Sequence, residues 1–219
     1  MIIRKKFLWI GLSLVFALFF AYSFLGLSVK PKIDKLVIKE NAFIEYPTEF
    51  NYKQTKNDCG PFSVAAAVRA LTGKNVSSAS FAQEVSWRLP NNYTLPWGLE
   101  SLLKAHSISI KKPNFKFLMD NEKIMLIQQY LSYGLPIIIL GQRDNYEHYI
   151  TIVGFDSNKD QYYVYDSLQS SSPEQKNMTI DENSTLSGNK TLNSQELLDF
   201  WRGGGVYGLW KWYGLVASL

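Results

Sequence analysis

Residues 7–29, FLWIGLSLVFALFFAYSFLGLSV, carry no charge and no proline. A helix needs roughly 20 apolar residues to cross the hydrocarbon core of a bilayer, so this run alone divides the chain into an anchor and a body. Arg4, Lys5 and Lys6 stand just ahead of it, the layout of a secretory n-region and h-region. Cleaved signal peptides have shorter apolar runs, about 7–15 residues, ending in a small-residue cleavage site. Here the run is longer, and Ala21, Ser23 and Ser28 make a poor site. The expectation is an uncleaved, single-pass signal anchor. Lys30, Lys32, Lys35 and Lys39 follow the span, so the basic residues do not fix its orientation by count. The short, wholly basic tail favours a cytoplasmic N-terminus and an extracytoplasmic body. The chain is thus divided into a tail (1–6), a transmembrane anchor (7–29), a stalk (30–45) and one domain (46–219), with residues 30–53 reading as a stalk that leads into an entry strand.

The body is of ordinary size for a single domain. Formal net charge is +4, and setting aside Arg4, Lys5 and Lys6 leaves +1. A near-neutral body lacks the basic field that nucleic-acid binding requires. One cysteine makes no internal disulfide, and with two histidines it makes no zinc-finger pattern. No cofactor or metal is implied.

The lone cysteine lies in QTKNDCGPFSVAAAVRAL, residues 54–71. Asp58 is a natural N-cap, Pro61 suits a first helical turn, and Gly73 is a natural stop. Phe62, Val64, Ala65, Ala66, Ala67, Val68 and Leu71 make most of the circumference apolar, as in a helix buried among other elements. Residues 97–106 form a short amphipathic helix followed by a small strand, SISI. Residues 121–134 form a longer helix, with Asp120 or Asn121 as cap and Gly134 as stop. PIIIL (136–140), HYITIVGF (148–155) and QYYVYD (161–166) are strands. Residues 167–192 are polar and rich in Ser, Asn and Thr, a long loop of the kind that is functional or disordered. SQELLDFW is a helix capped by Asn193 or Ser194, and the last residues form one or two strands after the glycines at 203–205. Helices first and an antiparallel sheet afterwards predict an α+β domain with segregated layers.

Placed at the first turn of a helix, Cys59 faces unpaired N–H groups and the positive end of the helix dipole, which favour a thiolate. A buried structural cysteine is the plain alternative. Gly60 lets a backbone approach the sulfur, and Gln54 supplies a neutral donor where an oxyanion forms. A thiol nucleophile needs a base, and the base needs an orienting group. His106 ends a helix and reads as a capping or surface residue. His148 opens one strand and Asp166 closes its neighbour, so both lie toward one end of the sheet. A tight turn at SNKD pairs residue 156 with 161 and leaves Asp166 opposite residue 151, roughly 10 Å along the strand from His148. A bulge, with Gly154 as its place, is needed to bring the two level. Glu147 is read as a solvated charge on the other face, and the aromatics at 207–213 as core and edge residues.

Gln54, DCGP at 58–61, GLPIIIL, HYITIVGFD and YVYDS, in that order, resemble the papain-like bacteriocin-processing (double-glycine leader) peptidases and their freestanding relatives. The resemblance runs from about Tyr46 to the C-terminus. It implies a papain-like fold and a Cys–His–Asp site: Cys59 as nucleophile, His148 as base and then acid, Asp166 orienting the imidazole. Gln54 and the Cys59 amide would hold the oxyanion. Gln54 precedes Cys59 by five positions, one fewer than in many papain-like enzymes, which calls for a tighter loop. The expectation is a membrane-tethered peptidase acting on a peptide or protein substrate. Its rivals are a catalytically silent peptide-binding module and an acyltransferase or amidase using the same thiol.

Overall fold

The computed structural model describes residues 11, 13–15, 30–47, 50–54, 57–168, 179–180, 188–205 and 209–219. Contacts divide the chain into two units, Met1–Lys30 and Pro31–Leu219. In the first, residues 11 and 13–15 are helical, and the remainder of the expected 7–29 span lies outside the described residues. Among the described residues no helix is long and apolar enough to cross a membrane.

The second unit is a mixed helix and sheet fold. Five helices, α1 (Cys59–Thr72), α2 (Ser78–Glu84), α3 (Pro96–Ala105), α4 (Asp120–Ser132) and α5 (Ser194–Gly203), accompany eight strands. These are β1 (Asn41–Phe43), β2 (Ser109–Lys111), β3 (Ile137–Arg143), β4 (Tyr146–Asp156), β5 (Gln161–Tyr165), β6 (Thr179–Ile180), β7 (Lys190–Leu192) and β8 (Gly214–Ser218). Along the sheet the order is β2-β8-β3-β4-β5-β7-β6, with β1 paired to β4, and among the described residues every strand pair is antiparallel. In the segment expected to be a stalk leading into an entry strand, β1 pairs Asn41 with Asp156 and Phe43 with Gly154. Only glycine fits at 154, because a Cβ there would lie 2.9 Å from the Ala42 carbonyl oxygen.

Strands of this sheet are apolar on both faces because helices cover both. Ile137 and Ile139 join Leu126, Ile127, Leu131 and Trp201, whereas Ile138 and Leu140 join Val64, Leu99, Leu103 and Leu215. The α1 helix ends at Gly73 in the left-handed conformation (φ 66°), as its sequence predicts. Its start differs from expectation. The Asp58 side chain makes no cap bond but pairs with Arg88, which also donates to the Ala82 and Asn92 carbonyls. Asp58 thus fastens the 88–92 loop beside Cys59. The α4 helix starts with Glu122 accepting the Met119 N–H at 2.8 Å, and α5 with a reciprocal Asn193–Glu196 capping box.

The polar stretch at 167–192 is not one loop. Lys190–Leu192 extends the sheet beside β5, and Thr179–Ile180 pairs with β7 in turn. The remaining expected loop residues, 169–178 and 181–187, lie outside the described residues.

Candidate active site

The bulge expected at Gly154 is present, and it changes more than level. Thr151 pairs with Tyr165 and Ile152 with Val164, but Gly154 pairs with Tyr163, so Val153 is the extra residue on β4. Carried on by one residue, this register sets Asp166 opposite Ile150 instead of residue 151. Cross-strand partners share a face, and so do residues two apart along a strand. The bulge therefore turns Asp166 to the face that carries His148; a plain hairpin would turn it away. The outcome is a His148 Nε2 to Asp166 Oδ1 distance of 2.7 Å, with both side chains buried.

Cys59 enters from the start of α1, 6% exposed, and its thiol is among the groups that bear on the His148 ring. With Nε2 on Asp166, Nδ1 is the ring nitrogen left for the sulfur. The helix is tied to the sheet by Thr151, whose hydroxyl donates to the Ser63 carbonyl at 2.9 Å. Gly60 sits against the 88–95 loop, where a Cβ would come within 3.0 Å of Thr94 Cβ. On the far side of the ring, His148 stands opposite Gly141 and meets Phe200 edge-on at 6.3 Å.

Electrostatics of the pair run against burial. Burial by itself would lower the His148 pKa, but the Asp166 carboxylate, by charge and hydrogen bond, and Cys59 beyond it push it up to about 9. Burial would likewise raise the Asp166 carboxyl, yet His148 and then Lys190 hold it well below the usual carboxylate range. Asp166 Oδ2 accepts from Lys190 Nζ at 2.7 Å and from Arg143 Nη1 at 3.2 Å, and Oδ1 also accepts the Leu168 N–H at 2.9 Å. The Asn189 carboxamide accepts from the Asp166 N–H and donates to its carbonyl, each at 2.8 Å.

Gln54 is brought to the same place from the other side. Its N–H donates to the Ser167 carbonyl at 2.9 Å, and its side-chain oxygen accepts from the Ser167 hydroxyl at 2.6 Å. The residue after the carboxylate thus positions the glutamine, and the carboxamide oxygen is held on Ser167. All four residues singled out from sequence are in this region. His106 is elsewhere, stacked on Phe81 and paired with Glu84 at 2.8 Å. Glu147 is not a solvated charge: it is half-buried, accepts the Gly205 N–H at 2.9 Å, and burial raises its pKa against that bond. Arg143, Ser167, Asn189 and Lys190 were not foreseen. A cavity of about 690 Å³ opens beside the start of α1, lined by Tyr52, Lys53, Asp58, Phe62, Ser78 and Arg88 among others.

The model of the peptidase C39-like family matches residues 43–191, most of the body, including Cys59, His148 and Asp166. The chain belongs to the peptidase C39-like family. The match supports a cysteine peptidase in general. Among solved structures, the chain is similar to the peptidase domain of Streptococcus ComA, a bifunctional ABC transporter involved in a quorum-sensing pathway. The two share 17% identity over 77% of this chain and 97% of that domain, with a TM-score of 0.48. No curated protein matches the chain.

Proposed function

We propose that this C39-like chain is an active peptidase that cleaves a peptide or protein substrate through a thioester acyl-enzyme. One observation carries the reading: three groups from separate parts of the chain, Cys59, His148 and Asp166, meet in a buried cluster. The ring proton on Nδ1 pairs with the sulfur, and the thiolate attacks the scissile carbonyl. As the C–S bond forms, the carbonyl oxygen takes the negative charge, stabilised by the Gln54 carboxamide and the Cys59 N–H. His148 then protonates the leaving amine as the C–N bond breaks, and afterwards takes a proton from the water that cleaves the thioester. Asp166 keeps the ring oriented throughout. Residues 7–29 tether the enzyme as a single-pass anchor, with the body extracytoplasmic.

A thiol-directed peptide electrophile tests the chemistry. Cys59 should be labelled at least about tenfold faster than a free thiol at pH 7, and His148→Ala should abolish the excess. Labelling at the free-thiol rate, unchanged by His148→Ala, would remove the peptidase reading and leave that of a silent peptide-binding module.

A further inference from the structure

The Asp166 carboxylate has more cations around it than orienting one imidazole requires. Lys190 Nζ and Arg143 Nη1 share Oδ2 at 2.7 and 3.2 Å, while Oδ1 takes His148 and the Leu168 N–H. Their side chains are 4% and 8% exposed. Burying a lysine ammonium is costly, and burial pulls Lys190 below its usual pKa even with Asp166 in contact. A carboxylate already paired with a charged imidazole, the Arg143 guanidinium and the Leu168 N–H does not call for Lys190 as a third cation on structural grounds.

We propose that Lys190, seconded by Arg143, is a positioning residue that anchors Asp166 Oδ2 and limits how strongly the carboxylate holds the proton on His148. The inference rests on the peptidase reading of the site. Lys190 comes from β7, the strand that follows the 181–187 segment, so the pairing of β7 with β5 sets the catalytic carboxylate. Asn189 and Lys190 act together: one grips the Asp166 backbone from both sides, the other its side chain.

Every charged group near the pair enters the balance. His148 arrives from β4, Arg143 from β3, Lys190 from β7 and Cys59 from α1, while Asp144 lies 3.8 Å from Arg143 Nε at the exposed rim. Glu147 is occupied by Gly205, and the Tyr165 phenol donates to the Tyr52 carbonyl. Lys190 is thus the nearest positive charge to the Asp166–His148 pair. Removing it leaves the carboxylate less neutralised and eases protonation of the ring, so His148 must titrate higher.

The test is Lys190→Met in the full chain, with the His148 ring followed by NMR against pH and Cys59 alkylation rates measured alongside. The His148 titration should move up by about one unit, and the alkaline limb of alkylation should move with it. The rate at pH 7 should fall about tenfold as the ring loses its fixed partner. Lys190→Arg should restore both. If Lys190→Met does not fold, Arg143→Gln serves, with a shift of the same sign and smaller size. An unmoved or lowered His148 titration overturns the proposal, including when the rate falls, since lost packing alone gives that result. The two readings fail separately. A wild-type thiol without enhanced reactivity refutes the peptidase, whereas the ring titration still reports on Lys190.

Discussion

Asp166→Asn should reverse the way stability depends on pH. In the wild-type chain the His148 pKa is pushed from 6.5 up to about 9, and the Asp166 charge is the largest of the influences that raise it. That difference corresponds to about 3 kcal/mol of folding free energy. A raised folded-state pKa gives stability that is complete below pH 6.5 and is lost as pH rises through about 9. With asparagine at 166 the raising charge is gone, and burial then sets His148 below its ordinary value. The variant should no longer lose stability between pH 6.5 and 9 and should lose it as pH falls below 6.5. It should also start lower by about 3–5 kcal/mol, because buried Lys190 loses the carboxylate at 2.7 Å. Urea unfolding at several pH values, followed by tryptophan fluorescence with m-values compared, measures this. Repeating both chains with Cys59→Ser takes the thiol's own titration out of the comparison, and the difference between Asp and Asn should persist. If Asp166→Asn loses stability between pH 6.5 and 9 as the wild type does, the Asp166–His148 pair is not what carries the dependence.

Gln54→Ala should lower kcat about 10²–10³-fold with little change in KM, since the donor acts where the oxyanion develops; a rise in KM at constant kcat would reassign it to substrate binding. Gly141→Ala would set a Cβ 2.2 Å from Phe200 Cε1, directly opposite His148. It should cost about 1–3 kcal/mol in denaturant melts, and Phe200→Leu in the same chain should recover part of that loss. Purely additive losses would mean that the two side chains do not collide. The anchor proposed at 7–29 should keep the protein with membranes in alkaline carbonate, and deleting residues 1–29 should release it; release of the full chain would refute the anchor.

The helix that begins at Cys59 was legible because its signals are local. Asp58, Cys59, Pro61, the apolar circumference and Gly73 lie within one short run, and each bears on backbone geometry that a neighbour completes. The same locality explains one misreading: Asp58 suits an N-cap by type and place, yet its carboxylate goes to Arg88, thirty residues on. Nothing near Asp58 announces that partner. The entry strand is likewise held from far away: β1 is three residues long and pairs with β4 more than a hundred positions later. Lys190 and Asn189 were hidden by composition. A lysine in a Ser, Asn and Thr-rich stretch reads as solvated until the strand pairing that buries it is known.

His148 and Asp166 show what a strand pattern contributes and where it stops. Turn chemistry at 157–160 sets Asp156 against Gln161, and counting from there places Asp166 near the histidine but with its side chain on the opposite face. Closeness along the strand was thus the smaller difficulty, and facing was the larger. One extra residue, Val153, resolves both, because a shift by one reverses the face of everything beyond it. Gly154 beside it is held by a different requirement, the close approach of β1 at Ala42. The bulge is therefore fixed from the edge where β1 docks, and the entry strand becomes part of what aligns His148 with Asp166.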